Sequence, residues 1–357
     1  MSNKAVLLCN LGSPDHPDEH SVREYLNQFL MDPSVIQLPW VLRRLIVSLF
    51  VLPKRPKASA EAYQKIWTEA GSPLVVMSEN LKSAVQKQVD QPIFMAMRYG
   101  NPSIESQVLE ISKNKSIKEI LFIPLYPHYA VSTIETSIIE LKRVIESHNL
   151  DLKVTVKAPF YSEPGYIEAL VNSCTIHLFE GLVGKDGEIN SPHLLFSYHG
   201  LPELHLTKID PTKSHCLKSN DCCKIKSEAH KTCYRHQVME TTRLFIDKTG
   251  LKEEQYSIAF QSRLGRAKWL EPSTEQKLKE LAERGIKNVI VICPAFVTDC
   301  LETLEEIAIR GKEVFQEAGG ESLKLVPCLN NYPDWINLMA SWCNEANESE
   351  MNKSETN

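Results

Sequence analysis

The sequence lacks the fingerprints of nucleotide-binding proteins. No G-x-G-x-x-G follows a candidate strand, and no G-x-x-x-x-G-K-S/T occurs in the 357 residues. Both motifs bring glycine backbone against phosphate groups, so their absence argues against a dinucleotide or nucleoside triphosphate ligand. An excess of basic charge is also missing, because 40 Lys and Arg stand against 45 Asp and Glu. Without a basic tail or face, nucleic acid is not the expected partner.

Long uncharged apolar runs are missing as well. The first apolar run breaks at Asn10, which is too early for a signal peptide, and it predicts a strand. Segment 35–52 is the most apolar part of the chain, but Pro39 interrupts it. Arg43 and Arg44 lie near its middle, where each charge costs about 2.5–3.5 kcal/mol in a bilayer core. We expect the segment either to pack as a helix on the core or to form an apolar rim for a membrane surface or a flat ligand.

Short apolar runs recur and alternate with segments of helical length. Such runs suit strands that are buried on both faces of a parallel sheet, and the alternation predicts βαβ units. The predicted strands cover 5–12, 93–100, 119–127, 153–160, 193–200, 256–263, 288–296 and 323–330. The predicted fold class is therefore α/β, with two similar doubly wound, Rossmann-like domains that each hold a parallel four-stranded sheet.

The domain boundary is predicted near a loop-like stretch at 180–192. We assign 1–175 to the N-terminal domain, which carries the apolar segment 35–52, and 176–343 to the C-terminal domain, which carries a cysteine-rich insertion at 211–236. The tail at 344–357 is polar, and we expect it to fray.

A histidine ends one of the predicted strands. In an open parallel sheet the ligand crevice lies at the carboxyl ends of the strands, so side chains at these positions are candidate site residues. His199 ends the fifth predicted strand, directly before a Gly-x-Pro turn. A histidine there is a candidate base that titrates near neutral pH, although a capping or core histidine has the same pattern.

A run of acidic residues follows the seventh predicted strand. At about 100° per residue, Asp299, Glu302 and Glu306 fall within roughly a 60° arc of a helix. Such a carboxylate ladder can bind a divalent cation or pass protons. Two other interpretations stay open, because a capping box at Asp299 and Glu302 or an ordinary amphipathic surface helix has the same spacing.

Four of the ten cysteines are clustered in a C-x5-C-C-x9-C pattern. They are Cys216, Cys222, Cys223 and Cys233. In a chain that is not exported, cysteines are expected to be reduced thiols. Disulfides, a zinc site and an iron–sulfur cluster are the three possible explanations, and the spacing alone does not decide between them.

Six motifs at the predicted strand ends resemble those of the ferrochelatase family. The similarity runs from about residue 4 to residue 340, with the motifs in the family's order. They are CNLGSP (9–14), MRYGNP (97–102), YPHYAVST (126–133), SYHGLP (197–202), QSRLG (261–265) with Trp269, and AFVTDCLETLEEI (295–307).

The resemblance implies a chelatase-like fold and a lyase that inserts ferrous iron into protoporphyrin IX, the last step of haem synthesis. His199 matches the family's active-site histidine, which takes pyrrole protons or holds the metal. Glu302 matches the acid that faces this histidine across the macrocycle, and Asp299 and Glu306 match the remaining acids of the proton or metal path. The residues that match porphyrin contacts are Leu11, Arg98, Tyr99, Tyr129 and Trp269.

The resemblance also bears on the apolar segment and on the cysteines. Segment 35–52 corresponds to the family's lip, which is linked to membrane association and porphyrin exchange. Some members hold a 2Fe–2S cluster, in some lineages by an internal set of cysteines, so the resemblance favours an iron–sulfur cluster on Cys216, Cys222, Cys223 and Cys233. This chain departs from some members at Cys300, where they carry a histidine.

Two other functions remain open at this point. One is a chelatase for coproporphyrin or another tetrapyrrole, because the pattern does not define the side chains of the ring. The other is a non-catalytic haem or iron–sulfur binding protein on the same fold, which the presence of His199, Asp299 and Glu302 argues against. We expect a cytoplasmic enzyme with peripheral contact to the inner membrane through segment 35–52.

Overall fold

The computed structural model describes residues 3–182, 192–263, 265 and 267–354, and for 178–182 and 346–354 the course of the backbone only. All eight predicted strands are present. They are β1 (Lys4–Ser13), β2 (Ile93–Gly100), β3 (Glu119–Pro124), β4 (Lys153–Val156), β5 (His193–His199), β6 (Tyr256–Gln261), β7 (Asn288–Ile292) and β8 (Ser322–Leu325).

Helices connect the strands, as the alternating pattern predicts. They are α1 (Glu19–Leu30), α2 (Trp40–Ile46), α3 (Arg55–Ile66), α4 (Pro73–Gln86), α5 (Ile104–Lys113), α6 (Thr136–Ser147), α7 (Pro164–Leu182), α8 (Glu203–Ile209), α9 (Tyr234–Thr249), α10 (Thr274–Glu283), α11 (Leu301–Leu304), α12 (Lys312–Glu317) and α13 (Pro333–Ser354). Wider π-helical turns occur at Val47–Val51, Val131–Glu135 and Glu306–Gly311, and short 3-10 turns at Glu228–Lys231 and Glu253–Gln255.

The strands form two parallel four-stranded sheets with equivalent strand orders, β2-β1-β3-β4 and β6-β5-β7-β8. In each sheet the first strand of its half of the chain lies centrally, between the second and third. These inner strands are almost wholly buried because helices cover both faces of a parallel sheet. The predicted fold class is confirmed.

The chain divides into two compact units at positions that differ from the predicted boundary. The first unit contains the chain up to Tyr126, Val131–Ala158 and the chain from Asn330 onward, and the second contains Pro127–Ala130 and Pro159–Leu329. Helix α7 belongs to the second unit because it packs against α9 and β7. Helix α13 returns to the first unit because it packs against α4.

Two features of the predicted boundaries therefore change. Helix α7 continues into the stretch expected to be a loop, of which residues 183–191 lie outside the described part of the chain. Helix α13 continues through most of the tail that we expect to fray, and residues 355–357 lie outside the described part. Glu, which occurs four times in this tail, is a good helix former.

A fully buried histidine lies in the second unit. The hydroxyl of Thr241 donates to the carbonyl of Tyr161 at 2.7 Å, so Nε2 of His128 donates to the Thr241 oxygen at 2.9 Å. Nδ1 of His128 is buried with no hydrogen-bond partner among the described residues. Burial lowers the pKa of His128 to about 3, so the ring is neutral in the folded protein.

We expect His128→Gln to make the protein less sensitive to mild acid. In the unfolded chain this histidine is protonated below about pH 6.5, whereas in the folded protein the buried ring stays neutral down to about pH 3. Between these two values the free energy of unfolding therefore falls by about 1.4 kcal/mol for each pH unit. Between about pH 7 and about pH 5, wild type should lose about 2 kcal/mol more than the variant. Urea unfolding at both pH values measures this, and equal losses would contradict it.

Candidate active site

His199 is the last residue of β5, and its ring is half-buried. Nδ1 lies 2.6 Å from the carbonyl oxygen of Gly200. Because a carbonyl can only accept a hydrogen bond, Nδ1 carries the hydrogen, and Nε2 of the neutral ring keeps its lone pair. The hydroxyl of Tyr234 donates to the backbone oxygen of His199 at 2.8 Å. The histidine is therefore held at both its ring and its backbone, and Nε2 is the atom that can accept a proton.

Glycine at position 200, next to His199, lets strand β6 and Trp269 approach the backbone closely. Its amide donates to the carbonyl of Gln261 at 2.7 Å. A Cβ atom at Gly200 would lie 2.9 Å from that carbonyl oxygen and 3.2 Å from Cε3 of Trp269. Trp269 is only 9% exposed and, with Gly200, Gln261 and Arg263 among others, it lines a cavity of about 40 Å³. A cavity of this size holds water and is far too small for a tetrapyrrole.

The candidate acids lie in different surroundings. Asp299 is buried just before α11, where it accepts from the hydroxyl of Thr303 at 2.8 Å and from the amide of Cys328 at 3.2 Å. Glu306 accepts from both the amide and the hydroxyl of Ser262, at 2.8 and 2.6 Å. These contacts fix both carboxylates at the carboxyl ends of the strands in the second unit.

The single helical arc predicted for the three acids does not form. Asp299 lies before Cys300, the extended N-cap residue of α11, and α11 ends at Leu304, so the three acids do not lie on one continuous α-helix. A capping box at Asp299 and Glu302 does not form either, because the N-cap residue of α11 is Cys300. The spacing of the acids therefore does not describe an ordinary surface helix.

Glu302 is half-buried and interacts with the thiol of Cys300. Burial raises the pKa of Cys300, and the negative charge of Glu302 and the hydrogen bond to it raise the pKa further. Cys300 is therefore a neutral thiol that donates to the Glu302 carboxylate.

Gln261 connects the histidine strand to the acidic helix, and sequence reasoning assigns it no role. It ends β6 directly opposite His199 in the β5–β6 register. Its side-chain amide donates to the backbone carbonyl of Glu302 at 2.9 Å, while its side-chain oxygen accepts from the hydroxyl of Ser197 at 2.6 Å. Only 3% of Gln261 is exposed, so these bonds form away from water. The signal available in the sequence is its place at a strand end, in the QSRLG motif.

The predicted porphyrin contacts of the first unit differ in exposure. Leu11 is the one half-buried residue in the otherwise buried β1. The side chain of Arg98 is 13% exposed. The sequence predicts a porphyrin contact for Tyr99, whereas the structure places it in the interior, 0% exposed, with its hydroxyl donating to Asp32 at 2.9 Å. The alternation of side chains along β2 turns Tyr99 to the face opposite its neighbours, and the carboxylate of Asp32 satisfies its hydroxyl there.

Tyr129 belongs to the second unit and is half-buried. Its backbone amide donates to the side-chain oxygen of Gln237 at 2.7 Å. This bond fixes the backbone of the YPHYAVST motif at Tyr129. It does not involve the side chain of Tyr129, whose role as a porphyrin contact stays a prediction.

The four clustered cysteines are free thiols that interact with one another. Cys233 is the N-cap residue of α9 and is hydrogen-bonded to the thiols of Cys223 and Cys216, and the bond from Cys223 lowers its pKa most. Nη1 of Arg235 lies 3.6 Å from the sulfurs of both Cys222 and Cys223. A guanidinium and the positive end of a helix thus face this sulfur group.

In the described part of the chain, no group of three or more His, Cys, Asp or Glu side chains is placed so that it could hold a metal ion. This finding supports neither a zinc site nor an iron–sulfur cluster on the four cysteines.

The apolar segment 35–52, called the lip below, exposes most of its apolar side chains. Arg43 and Val47 are buried, at 5% and 0% exposure. The expectation that the segment packs on the core is wrong for the other side chains, because apolar residues lie all around a short helix that has one buried face. The exposed ones are Leu38, Trp40, Val41, Leu42, Leu45, Ile46, Leu49 and Phe50. Within the described residues, no helix combines the length and apolarity needed to cross a membrane.

Comparison with known proteins identifies the family. The ferrochelatase family model matches residues 3–347. The chain belongs to the ferrochelatase family. A ferrochelatase of Ectopseudomonas mendocina (strain ymp) is 52% identical over 348 residues, which cover 97% of this chain and 99% of the relative. A ferrochelatase of Stutzerimonas stutzeri (strain A1501) is 51% identical over 348 residues, with the same coverage.

A solved chelatase shares the fold of this ferrochelatase family member. SirB from Bacillus subtilis with Fe3+ superimposes with a TM-score of 0.53 over 96% of this chain and 94% of that chain. At 12% sequence identity this likeness shows the fold alone. The resemblance drawn from the motifs is thus confirmed for the family and for the fold, while the roles of single residues stay predictions.

Proposed function

We propose that this chain inserts ferrous iron into protoporphyrin IX to form protohaem, with His199 and Glu302 at the reaction centre. Family membership over 97% of the chain supports the reaction. The arrangement of the second unit supports the centre, because a histidine with one free ring nitrogen and three carboxylates lie around the same strand ends. The observation that carries the proposal is the bond from Gln261 to the Glu302 backbone, which ties the acid to the strand end opposite His199.

The reaction replaces both pyrrole N–H protons of the free-base porphyrin with one ferrous ion, so those protons need an acceptor. Nε2 of His199 can accept a proton, and the imidazolium that forms keeps its Nδ1–H bond to Gly200. Carboxylate oxygens such as those of Glu302 are hard ligands that hold iron weakly enough to release it to porphyrin nitrogen. Asp299 and Glu306 are fixed by their own hydrogen bonds, which suits them to receive protons from the centre.

We expect His199→Ala and Glu302→Gln each to reduce the rate of iron insertion by at least about a hundredfold, because the first removes a proton acceptor and the second replaces a charged carboxylate with a neutral amide. Anaerobic stopped-time assays with ferrous iron and protoporphyrin IX measure the rate.

Two substitutions of the same types serve as controls. His20→Ala removes a 79%-exposed histidine of α1, and Glu313→Gln removes an exposed carboxylate of α12. Both controls should keep the wild-type rate, and circular dichroism should be the same for all four variants. A near-wild-type rate in either His199→Ala or Glu302→Gln would overturn the assigned roles.

We also propose that Cys216, Cys222, Cys223 and Cys233 hold a 2Fe–2S cluster. Two sets of contacts support it. Cys233 is hydrogen-bonded to Cys223 and Cys216, and Arg235 contacts Cys222 and Cys223, so all four thiols lie close together. A two-iron cluster takes two thiolates on each iron, so its ligands need not surround a single point. When bound, the cluster supplies a one-electron redox centre. The chain's own contribution is to supply the thiolates and to balance their charge with Arg235.

We expect protein purified without air to be brown and Cys222→Ser to abolish its visible absorption, because the cluster then lacks one of its four ligands. Absorption spectra together with iron and sulfide analysis measure the content. Cys174→Ser, which changes a buried cysteine of α7, is the matched control and should keep the colour. Colourless protein that contains stoichiometric zinc would contradict the proposal.

Finally, we propose that the lip makes peripheral contact with a membrane surface. Trp40, Leu49 and Phe50 are 62%, 62% and 70% exposed, which is a large apolar surface for a globular protein. Aromatic and aliphatic side chains of this kind insert at the boundary between headgroups and acyl chains.

We expect the double variant Trp40→Ser, Phe50→Ser to bind phospholipid vesicles about tenfold more weakly than wild type, because less apolar surface leaves water. Co-sedimentation with vesicles measures the bound fraction. Ile139→Ser removes a 51%-exposed side chain of α6, outside the lip, and should leave binding unchanged. Equal binding by wild type and the double variant would contradict the proposed contact.

A further inference from the structure

Helix α9 begins at the four clustered cysteines, which are called the cysteine block below. Its N-cap residue, Cys233, belongs to the block and is hydrogen-bonded to two of the other thiols. Nη1 of Arg235 lies 3.6 Å from the sulfurs of the remaining pair of neighbours, Cys222 and Cys223. Nδ1 of His236 lies 2.8 Å from the carbonyl oxygen of Cys223, and because a carbonyl only accepts, this nitrogen donates. The position of the first turn of α9 therefore depends on the cysteine block.

The same turn also bonds to the candidate active site. Tyr234, the first residue of α9, is buried, and its hydroxyl donates to the backbone oxygen of His199 at 2.8 Å. The side chain of Gln237 is buried as well, and its oxygen accepts from the backbone amide of Tyr129 at 2.7 Å. Residues 233–237 thus carry bonds to the cysteine block and bonds to two predicted site residues. One peptide bond separates the block cysteine at 233 from the tyrosine that holds His199.

Tyr234 holds the peptide group that joins His199 to Gly200. The oxygen of this planar group accepts from Tyr234, and its N–H donates to the carbonyl of Gln261 at 2.7 Å. The next carbonyl along the chain, that of Gly200, accepts from Nδ1 of the His199 ring at 2.6 Å. A displacement of the Tyr234 hydroxyl therefore turns the peptide plane, and with it the carbonyl that orients the imidazole.

We propose that Tyr234 is a positioning residue through which the cysteine block controls the orientation of His199. A change at the thiols displaces the first turn of α9, and the Tyr234 hydroxyl passes this displacement to the peptide group between residues 199 and 200. The inference rests on the proposed function, because it takes Nε2 of His199 as the proton acceptor, and it gives the block a regulatory task in that reaction. Tyr234 acts through His199 and does not touch the reacting atoms.

Hydrogen exchange read by mass spectrometry tests the coupling without iron insertion. The amide of Gly200 is measured relative to the amides of β7 in the same sheet, so that a general loss of stability cancels. We expect Cys222→Ser to speed this exchange by at least about tenfold in the wild-type background and by less than about twofold in Tyr234→Phe, which has already lost the bond. Arg235→Gln perturbs the block without removing a sulfur, and it should give the same pattern if Cys222→Ser does not fold.

Rates of iron insertion form a double-mutant cycle on the same variants. Cys222→Ser should lower kcat about fivefold in wild type but less than about twofold in Tyr234→Phe, because the path to His199 is then already broken. Thr242→Val is the matched control. It also removes a hydroxyl between α9 and β5, 2.8 Å from that of Tyr198, but it lies about two turns from the block and should keep the fivefold effect.

Independent effects of Cys222→Ser and Tyr234→Phe, in either the exchange or the rate measurement, would overturn the inference. So would a Thr242→Val background that removes the effect of Cys222→Ser as fully as Tyr234→Phe does. If wild type inserts no iron into protoporphyrin IX, the proposed function itself fails, whereas the exchange measurement still decides whether the block and the 199–200 peptide are coupled.

Discussion

One buried amide holds the candidate reaction centre of the second unit together. Gln261 pairs with His199 through the sheet, and its side chain bonds the first turn of the helix that carries Glu302. Strand β6 and helix α11 are far apart in the sequence, so their relative position depends on contacts of this kind. A buried amide that loses its hydrogen-bond partner costs about 1–3 kcal/mol. This penalty favours the state in which Gln261 stays bonded to the backbone of Glu302.

At the same end of the sheet, hydrogen bonds give the three candidate acids different surroundings. Asp299 and Glu306 have their oxygens occupied by Thr303, Cys328 and Ser262, and these bonds hold the two carboxylates in one orientation. Glu302 instead receives the weak donor of a neutral thiol. Three acids of the same chemical type can therefore have different tasks because their immediate partners differ.

The sequence predicts the architecture well and the details of the site only in part. Buried strands have near-continuous apolar runs, and a strand end such as His199 is recognised because the run stops there. The spacing of Asp299 and Glu306 misleads, because it assumes one α-helix, whereas Asp299 precedes the extended N-cap residue of α11 and Glu306 follows the end of that helix. Asp32 gives no signal in the sequence, since its partners Arg98 and Thr136 meet it only through the fold. Tyr99 is an aromatic residue near a strand end, which is typical of a ligand contact, and only the packing in the structure shows that it is interior.

Arg43 changes the physical character of the lip. In the sequence its charge stands in the middle of an apolar segment, but the side chain folds underneath and donates to the carbonyls of Ile36 and Leu38, at 3.3 and 2.9 Å. These hydrogen bonds from the guanidinium stabilise the turn that leads into α2. Arg44 is bonded to Asn27 at the side of the helix. Because Arg43 is buried, the exposed side chains of the segment are mostly apolar, and they can leave water without stripping the hydration shell from Arg43.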